Sequence, residues 1–153
     1  MLAMACDVRP ARESDANAIS AVILSALRET NAKDYSQDII ARVTQSFSPA
    51  AVRKLMVSRT VLVAMKGGDV VGTASLDGAV VRTVFVSPSV QGQGTGTRLM
   101  AEIERIAYIK GVTLLTVPSS VTAEAFYARL GFKAVEDSYH GDERTIIMER
   151  SLP

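Results

Sequence analysis

Apolar residues recur at helical spacing through the first third of the chain. Ile19, Val22, Ile23, Ala26 and Leu27 fall on one face of a predicted helix that Ser14 can cap, and the polar run Arg28-Glu29-Thr30-Asn31 ends it. Ser36 can cap a second helix, with Ile39, Ile40, Val43 and Phe47 inward. Ser48-Pro49 reads as a cap followed by proline at the first helical position, and it opens a short third helix on Val52, Leu55 and Met56. Ahead of these helices, Cys6-Asp7-Val8-Arg9 predicts a short strand ended by Pro10.

The period then changes. Thr60 to Met65 is a β-branched, apolar run, Gly67-Gly68-Asp69 a hairpin turn, and Val70 to Leu76 the return strand. Asp77-Gly78 is a second tight turn, and Ala79 to Val86 pairs back, which completes a three-strand meander. The stretch Val80 to Val86 is apolar enough for a strand buried on both faces, and Pro88 ends it. After a glycine-rich loop, Leu99, Met100, Ile103, Ile106 and Ala107 mark one face of a helix closed by Gly111.

Val112 to Val117 reads as another buried strand. One helix separates it from the previous strand, so the two should run parallel through a right-handed crossover. Pro118-Ser119-Ser120 is expected to open a last helix over residues 121–130, with Gly131 as its C-cap. Phe132 to Ser138 and Thr145 to Arg150 predict a final hairpin over Gly141-Asp142-Glu143. No repeat, linker or low-complexity segment interrupts the chain, so residues 1–153 are expected to form a single domain.

Composition narrows the function classes. With 48% apolar residues and a mean hydropathy of +0.19, the chain can build a core and is not a disordered segment. A net charge of +1, with no basic run and no Trp, argues against a nucleic-acid partner. Cys6 is the one cysteine, so no intrachain disulfide can form and a reducing compartment is expected. One cysteine and one histidine leave little for a metal site. No leader-like or membrane-spanning run is evident, and the expectation is a cytoplasmic protein.

The chemistry concentrates in the glycine loop. Gly92, Gly94 and Gly96 stand at alternate positions between a predicted strand and a predicted helix. The first N–H groups of a helix lack intrahelical partners and carry the positive end of its dipole. Glycine lets a phosphate approach that backbone. The spacing is not a P-loop, because no Lys-Ser or Lys-Thr follows, and it is not G-x-G-x-x-G.

Gln91-Gly92-Gln93-Gly94-Thr95-Gly96 instead resembles the Q/R-x-x-G-x-G/A signature of the GCN5-related N-acetyltransferases (GNAT). A second stretch, Ala123 to Phe132, is similar to that family's A-x-x-x-Y-x-x-x-G-F pattern, about thirty residues on and in the right order. The resemblance implies a mixed α+β fold. Its central sheet has six or seven largely antiparallel strands flanked by helices, with a splay between two parallel strands, here Ala79–Val86 and Val112–Val117. It implies acetyl-CoA as the acyl donor. The diphosphate would lie on Gln91, Gly92, Gln93, Gly94, Thr95 and Gly96, and the pantetheine arm would pair with the backbone of Val84, Phe85 and Val86. Thr97, Ser120, Ala123 and Phe126 complete the expected cofactor contacts. Ser120 stands where many members carry an asparagine, and Phe126 also suits the core.

By the same resemblance Tyr127 faces the thioester sulfur. A phenol of pKa ~10 beside a thiol of ~8.5 makes full proton transfer uphill by about 2 kcal/mol, so hydrogen bonding to the departing thiolate is the safer role. Many relatives carry a glutamate on the strand before the glycine loop; here Val80-Val81-Arg82-Thr83 has no acid. Asp77, Glu29, Asp34 and Asp38 stay open as bases, as does a water relay. The acceptor pocket is expected between Asn31–Ser36, Tyr35 included, and the Tyr139-His140 region. The leading reading is an N-acetyltransferase acting on a primary amine, small or protein-borne, by direct attack in a ternary complex. The alternatives are a catalytically silent acyl-CoA-binding regulatory module and a glycine-loop domain for another nucleotide. Small members of the family often pair, so the resemblance allows a homodimer.

Overall fold

The computed structural model describes residues 6–153. Its strands are β1 (Asp7–Pro10), β2 (Thr60–Lys66), β3 (Asp69–Asp77), β4 (Val80–Val86), β5 (Leu114–Ser120), β6 (Lys133–His140) and β7 (Glu143–Ser151). They form one sheet in the order β1-β2-β3-β4-β5-β7-β6. All neighbours are antiparallel except β4 and β5. The helices are α1 (Ala16–Glu29), α2 (Gln37–Thr44), α3 (Pro49–Ser58), α4 (Thr95–Ile109) and α5 (Glu124–Arg129).

Each face of the sheet has its own core. On one face Leu99, Met100, Ile103 and Ala107 of α4 pack on Leu62, Ala74 and Val81. The helical spacing of those four residues is what turns a single stripe of α4 to the sheet. On the other face Ile19, Ile23 and Leu27 of α1 and Val52 of α3 pack on Val63. The caps of α2 and α3 are as expected: Ser36 Oγ accepts from Ile39 N–H and Ser48 Oγ from Ala51 N–H, each at 3.2 Å.

Three local expectations are corrected. Ser14 caps nothing. Instead the carboxylate of Asp15 accepts from Arg12 N–H at 2.7 Å and pairs with both terminal nitrogens of Arg9 at 2.8 and 3.0 Å. A charged acceptor held by a fork of donors outcompetes a serine hydroxyl. The two glycine hairpins are one residue tighter or shifted. Gly67-Gly68 alone links β2 to β3, both at positive φ, and Gly78-Ala79 links β3 to β4.

The third correction matters most for the site. Pro118-Ser119-Ser120 does not open a helix; all three continue β5 and pair with Ile147, Ile146 and Thr145 of β7. Thr116 N–H donates to the carbonyl of Ala79, just before β4, so the strand positions 116, 118 and 120 direct their backbone groups toward β4. At 118 a proline stands there and has no N–H to give. Proline is tolerated because the next rung of the β4–β5 ladder is absent. Val80–Thr116 is the one residue pair that joins the two strands.

Candidate active site

β4 and β5 part just above that pair. On the β4 side the cause is a bulge. Thr73 pairs with Phe85 and Ser75 with Arg82, so Thr83 and Val84 together oppose Ala74. Thr83 takes φ +55°, the one non-glycine positive φ among the described residues, and a β-branched residue is strained there. Arg59 Nη1 donates to its hydroxyl at 3.2 Å. Ser87 N–H donates to Val71 O and sets the phase of the β3–β4 ladder, which makes Thr73 and Phe85 a bonded pair. Val84 and Val86 therefore direct their N–H and C=O groups into the gap, while Phe85 spends its own on β3. The gap also explains why Val84, Phe85 and Val86 are half-buried, not buried on both faces as the sequence suggests.

The gap opens into a cleft of about 510 Å³. Its rim is the loop before α4. Gly94 is the N-cap of α4 in the left-handed region, at φ +82°, and Arg98 N–H is the first of the helix to find a carbonyl, that of Gly94. The N–H groups of Thr95, Gly96 and Thr97 are thus the free donors of the first turn. Gly96 has a packing role too: a Cβ there would stand 3.1 Å from the Phe126 ring. Gln91 Nε2 donates to Thr30 Oγ1 at 2.9 Å, which ties the loop to the end of α1.

The structure brings nearly all the residues expected to bind cofactor to this cleft. Val84, Phe85, Val86, Gln91, Gly92 and Gly94 line it. So do Thr95, Gly96, Thr97, Ser120, Ala123 and Phe126. Gln93 does not line it; its side chain is exposed and accepts from Lys66 Nζ. Ser120 Oγ accepts from Ala123 N–H at 3.1 Å, a cap for the turn into α5. Two further residues take a part that was not assigned to them in the sequence. Asn31, expected at the acceptor pocket, is buried at the cleft wall too, and Arg129, a variable position of the second motif, is the one charged side chain lining the cleft among the described residues.

Tyr127 lies in the cleft wall, 4% exposed, edge-on to Phe126 and Phe132 at 5.1 and 5.6 Å between ring centroids. Burial raises its phenol well above the ordinary tyrosine value, and no neighbouring charge or hydrogen bond offsets that. It is a neutral O–H donor throughout the physiological range.

A second cavity, about 340 Å³, meets the first at the splay and shares Asn31, Thr83, Phe85, Pro118 and Ser120 with it. Tyr35 lines it, as expected. Its hydroxyl accepts from Val121 N–H at 2.6 Å and donates to Arg144 O at 3.2 Å, which fastens the α1–α2 connection across β5 and β7. The far wall is not Tyr139 and His140, which are exposed on the edge strand β6. Glu143 and Thr145 of β7 stand there instead. None of the carboxylates considered as bases lines either cavity. Asp77 pairs with Arg82 at 3.1 Å and Asp34 accepts from Thr122 at 2.8 Å. Among the described residues Glu143 is the only acid lining either, and Arg42 holds it at 2.9 Å.

An open seam between parallel strands, free main-chain donors on one lip, a helix N-terminus at the rim and a second chamber behind suit a thioester donor that carries a diphosphate and an acceptor that comes from the other side. Comparison with known proteins agrees. The family model described as an acetyltransferase (GNAT) domain matches residues 31–148. The chain is 28% identical over 129 residues to the uncharacterized N-acetyltransferase YafP of Escherichia coli, covering 84% of this chain and 82% of that one. Among solved structures it is similar to a GCN5-related N-acetyltransferase from Rhodopseudomonas palustris, with TM-score 0.90, 27% identity and 99% of both chains covered. The fold is shared with PaiA N-acetyltransferase from Thermoplasma acidophilum in complex with coenzyme A, with TM-score 0.85, 21% identity, and coverage of 97% of this chain and 100% of that one. It is shared also with YncA of Salmonella typhimurium, solved with acetyl-CoA, at TM-score 0.69, 22% identity, and coverage of 97% and 95%. The chain belongs to the GNAT family of acetyltransferases.

Proposed function

We propose that this protein transfers the acetyl group of acetyl-CoA to a primary amine by direct attack within a ternary complex. The observation that carries the reading is the junction of two cavities at the β4–β5 splay, with the free N–H groups of Val84 and Val86 on its edge. Acetyl-CoA supplies an acetyl group activated as a thioester.

Thr95, Gly96 and Thr97 N–H groups hold the diphosphate, supported by the α4 dipole and by the charge of Arg129. Main-chain groups of Val84 and Val86 align the pantetheine arm as an added strand. The N–H of Val84 donates to the carbonyl oxygen as negative charge develops on it. One such donor is typically worth roughly 3–4 kcal/mol. The Tyr127 hydroxyl donates a hydrogen bond to the leaving sulfur and keeps its proton.

The amine comes through the second cavity. Among the described residues no cysteine lines either cavity, which supports direct attack without an acyl-enzyme. No unpaired acid stands at the junction among the described residues, so the amine loses its proton to solvent. The rate should therefore follow the fraction of neutral amine. At pH 7 that is about one in 2,500 for a lysine-like pKa of ~10.4. Acceptor-dependent release of free thiol tests the proposal. Release with at least one amine, rising with pH toward the amine's own pKa, is expected. Acetyl-CoA that binds tightly but is never turned over by any amine would make the protein a binding module.

A further inference from the structure

The second cavity has a charge imbalance that the transferase reading leaves unused. Three charged side chains line it: Arg59, Arg82 and Glu143. Two of them are neutralised nearby, Arg82 by Asp77 at 3.1 Å and Glu143 by Arg42 at 2.9 Å. Arg59 is different. Its one hydrogen bond goes to the neutral hydroxyl of Thr83, and among the described residues no carboxylate comes within 4.0 Å of it. Burial and the adjacent Arg82 guanidinium lower its pKa from the ordinary arginine value, with the Asp77 carboxylate acting the other way, yet an arginine does not deprotonate in a protein. The cavity therefore keeps one half-buried positive charge with no carboxylate in contact, since the nearby Asp77 is bonded to Arg82. Such a charge is costly unless something completes it.

The uncharged part of the wall is mixed: Leu27, Ile39, Ile40, Val43, Phe47 and Phe85 supply an apolar stretch, and the neutral polar residues stand beside it. The position of Arg59 adds geometry. Its guanidinium touches Thr83, which lines both cavities at the splay where the acceptor nitrogen must arrive. A group bound by Arg59 is thus close to that nitrogen, and the apolar residues line the same cavity.

We propose that the acceptor is a small amine with a carboxylate near its nitrogen and an apolar side chain, the pattern of an apolar α-amino acid, and that Arg59 binds the carboxylate. This rests on the acetyltransferase reading above. A guanidinium offers two parallel N–H donors that match a carboxylate, and it serves phosphate as well. The cavity volume lies at the small end of ligand pockets, which run from about 300 to 1,000 Å³.

The test compares acceptors of one shape with the intact chain and acetyl-CoA. L-Leucine, leucinamide, 3-methylbutylamine and 1-amino-3-methylbutylphosphonate differ in the group beside the amine. Leucinamide separates charge recognition from amine basicity, because its amine loses a proton more readily than that of leucine. The expected result is a kcat/KM for leucine at least tenfold above both leucinamide and 3-methylbutylamine. A phosphonate that outperforms leucine would move the assignment from carboxylate to phosphate and overturn the amino-acid proposal. In Arg59→Gln the ratio of leucine to 3-methylbutylamine should fall at least tenfold, and Arg59→Lys should restore part of it.

A readout without turnover accompanies this. N-Acetylleucine should raise the melting temperature of the wild-type protein in the presence of coenzyme A, and N-(3-methylbutyl)acetamide should not. Equal turnover of leucine and the uncharged amines, with acetyl-CoA bound normally, would overturn this inference and leave the transferase standing. Failure to bind acetyl-CoA at all would overturn the transferase reading, and this inference with it.

Discussion

Single residues at the splay carry chemistry and strain together. Replacing Tyr127 by Phe removes one O–H donor and no packing surface. The expected result is a fall in kcat of about 10- to 100-fold, the size of a hydrogen bond to a charged group, with acetyl-CoA affinity unchanged. Steady-state kinetics beside a calorimetric titration reads both. The raised phenol pKa also fixes a sign. The folded state binds this proton more tightly than the unfolded chain, so its contribution to stability is fully present below about pH 10 and is lost as pH rises above it. Tyr127→Phe should therefore flatten the alkaline fall in stability, measured by urea unfolding across that range. Asp15 has the opposite sign. The hydrogen bonds from Arg9 hold its pKa low, so its contribution is present above about pH 4 and vanishes as pH falls through the folded value. Asp15→Asn should cost about 2 kcal/mol near neutrality and nothing in acid, because it leaves Arg9 without its partner.

At the scale of elements, α4 has two jobs that a single glycine joins. Gly96 presents an N–H at the rim and lets the Phe126 ring pack against the helix start. Gly96→Val should lower acetyl-CoA affinity and also destabilise the fold by about 1–3 kcal/mol through overpacking. Gly94→Val, with no atom within 4 Å of its new Cβ, should strain only the left-handed N-cap and act mainly on the cofactor. Comparing melting temperatures with binding heats for the two variants separates the effects.

The elements themselves were largely legible. Periodicity marked α1 through α4, the meander and the last hairpin, because each buries one stripe or one face. What did not show was anything set by a neighbour distant in sequence. Pro118 reads as a helix opener by itself, yet it is a strand residue because β4 has turned away from its missing donor. Gly72 carried no signal, though Leu99, Thr95 and the Phe85 carbonyl would stand 3.0–3.3 Å from a Cβ there and would have to give way. The motif residues converge on the cleft because loop and helix are contiguous in sequence. Arg59, Asn31 and Glu143 come from three separate elements or their ends, and only folding puts them beside the motifs.

For the molecule as a whole, the sheet divides into two halves that share one backbone rung. β1 to β4 form one half and β5 to β7 the other, Val80–Thr116 is the strand pair between them, and the α4 core residues pack on both. The Tyr35 hydroxyl, bonded to Val121 and Arg144, crosses from one half to the other at the second cavity. Among the described residues no helix is long and apolar enough to cross a membrane. The central claim is that a thioester donor seats along the open edge of β4 with its diphosphate on the first turn of α4. Amide hydrogen exchange with and without coenzyme A measures this directly. The account predicts slowed exchange at Val84, Val86, Thr95, Gly96 and Thr97, with Phe85 unchanged because its amide already serves β3. Protection confined to some other surface, with those five amides exchanging as before, would contradict it.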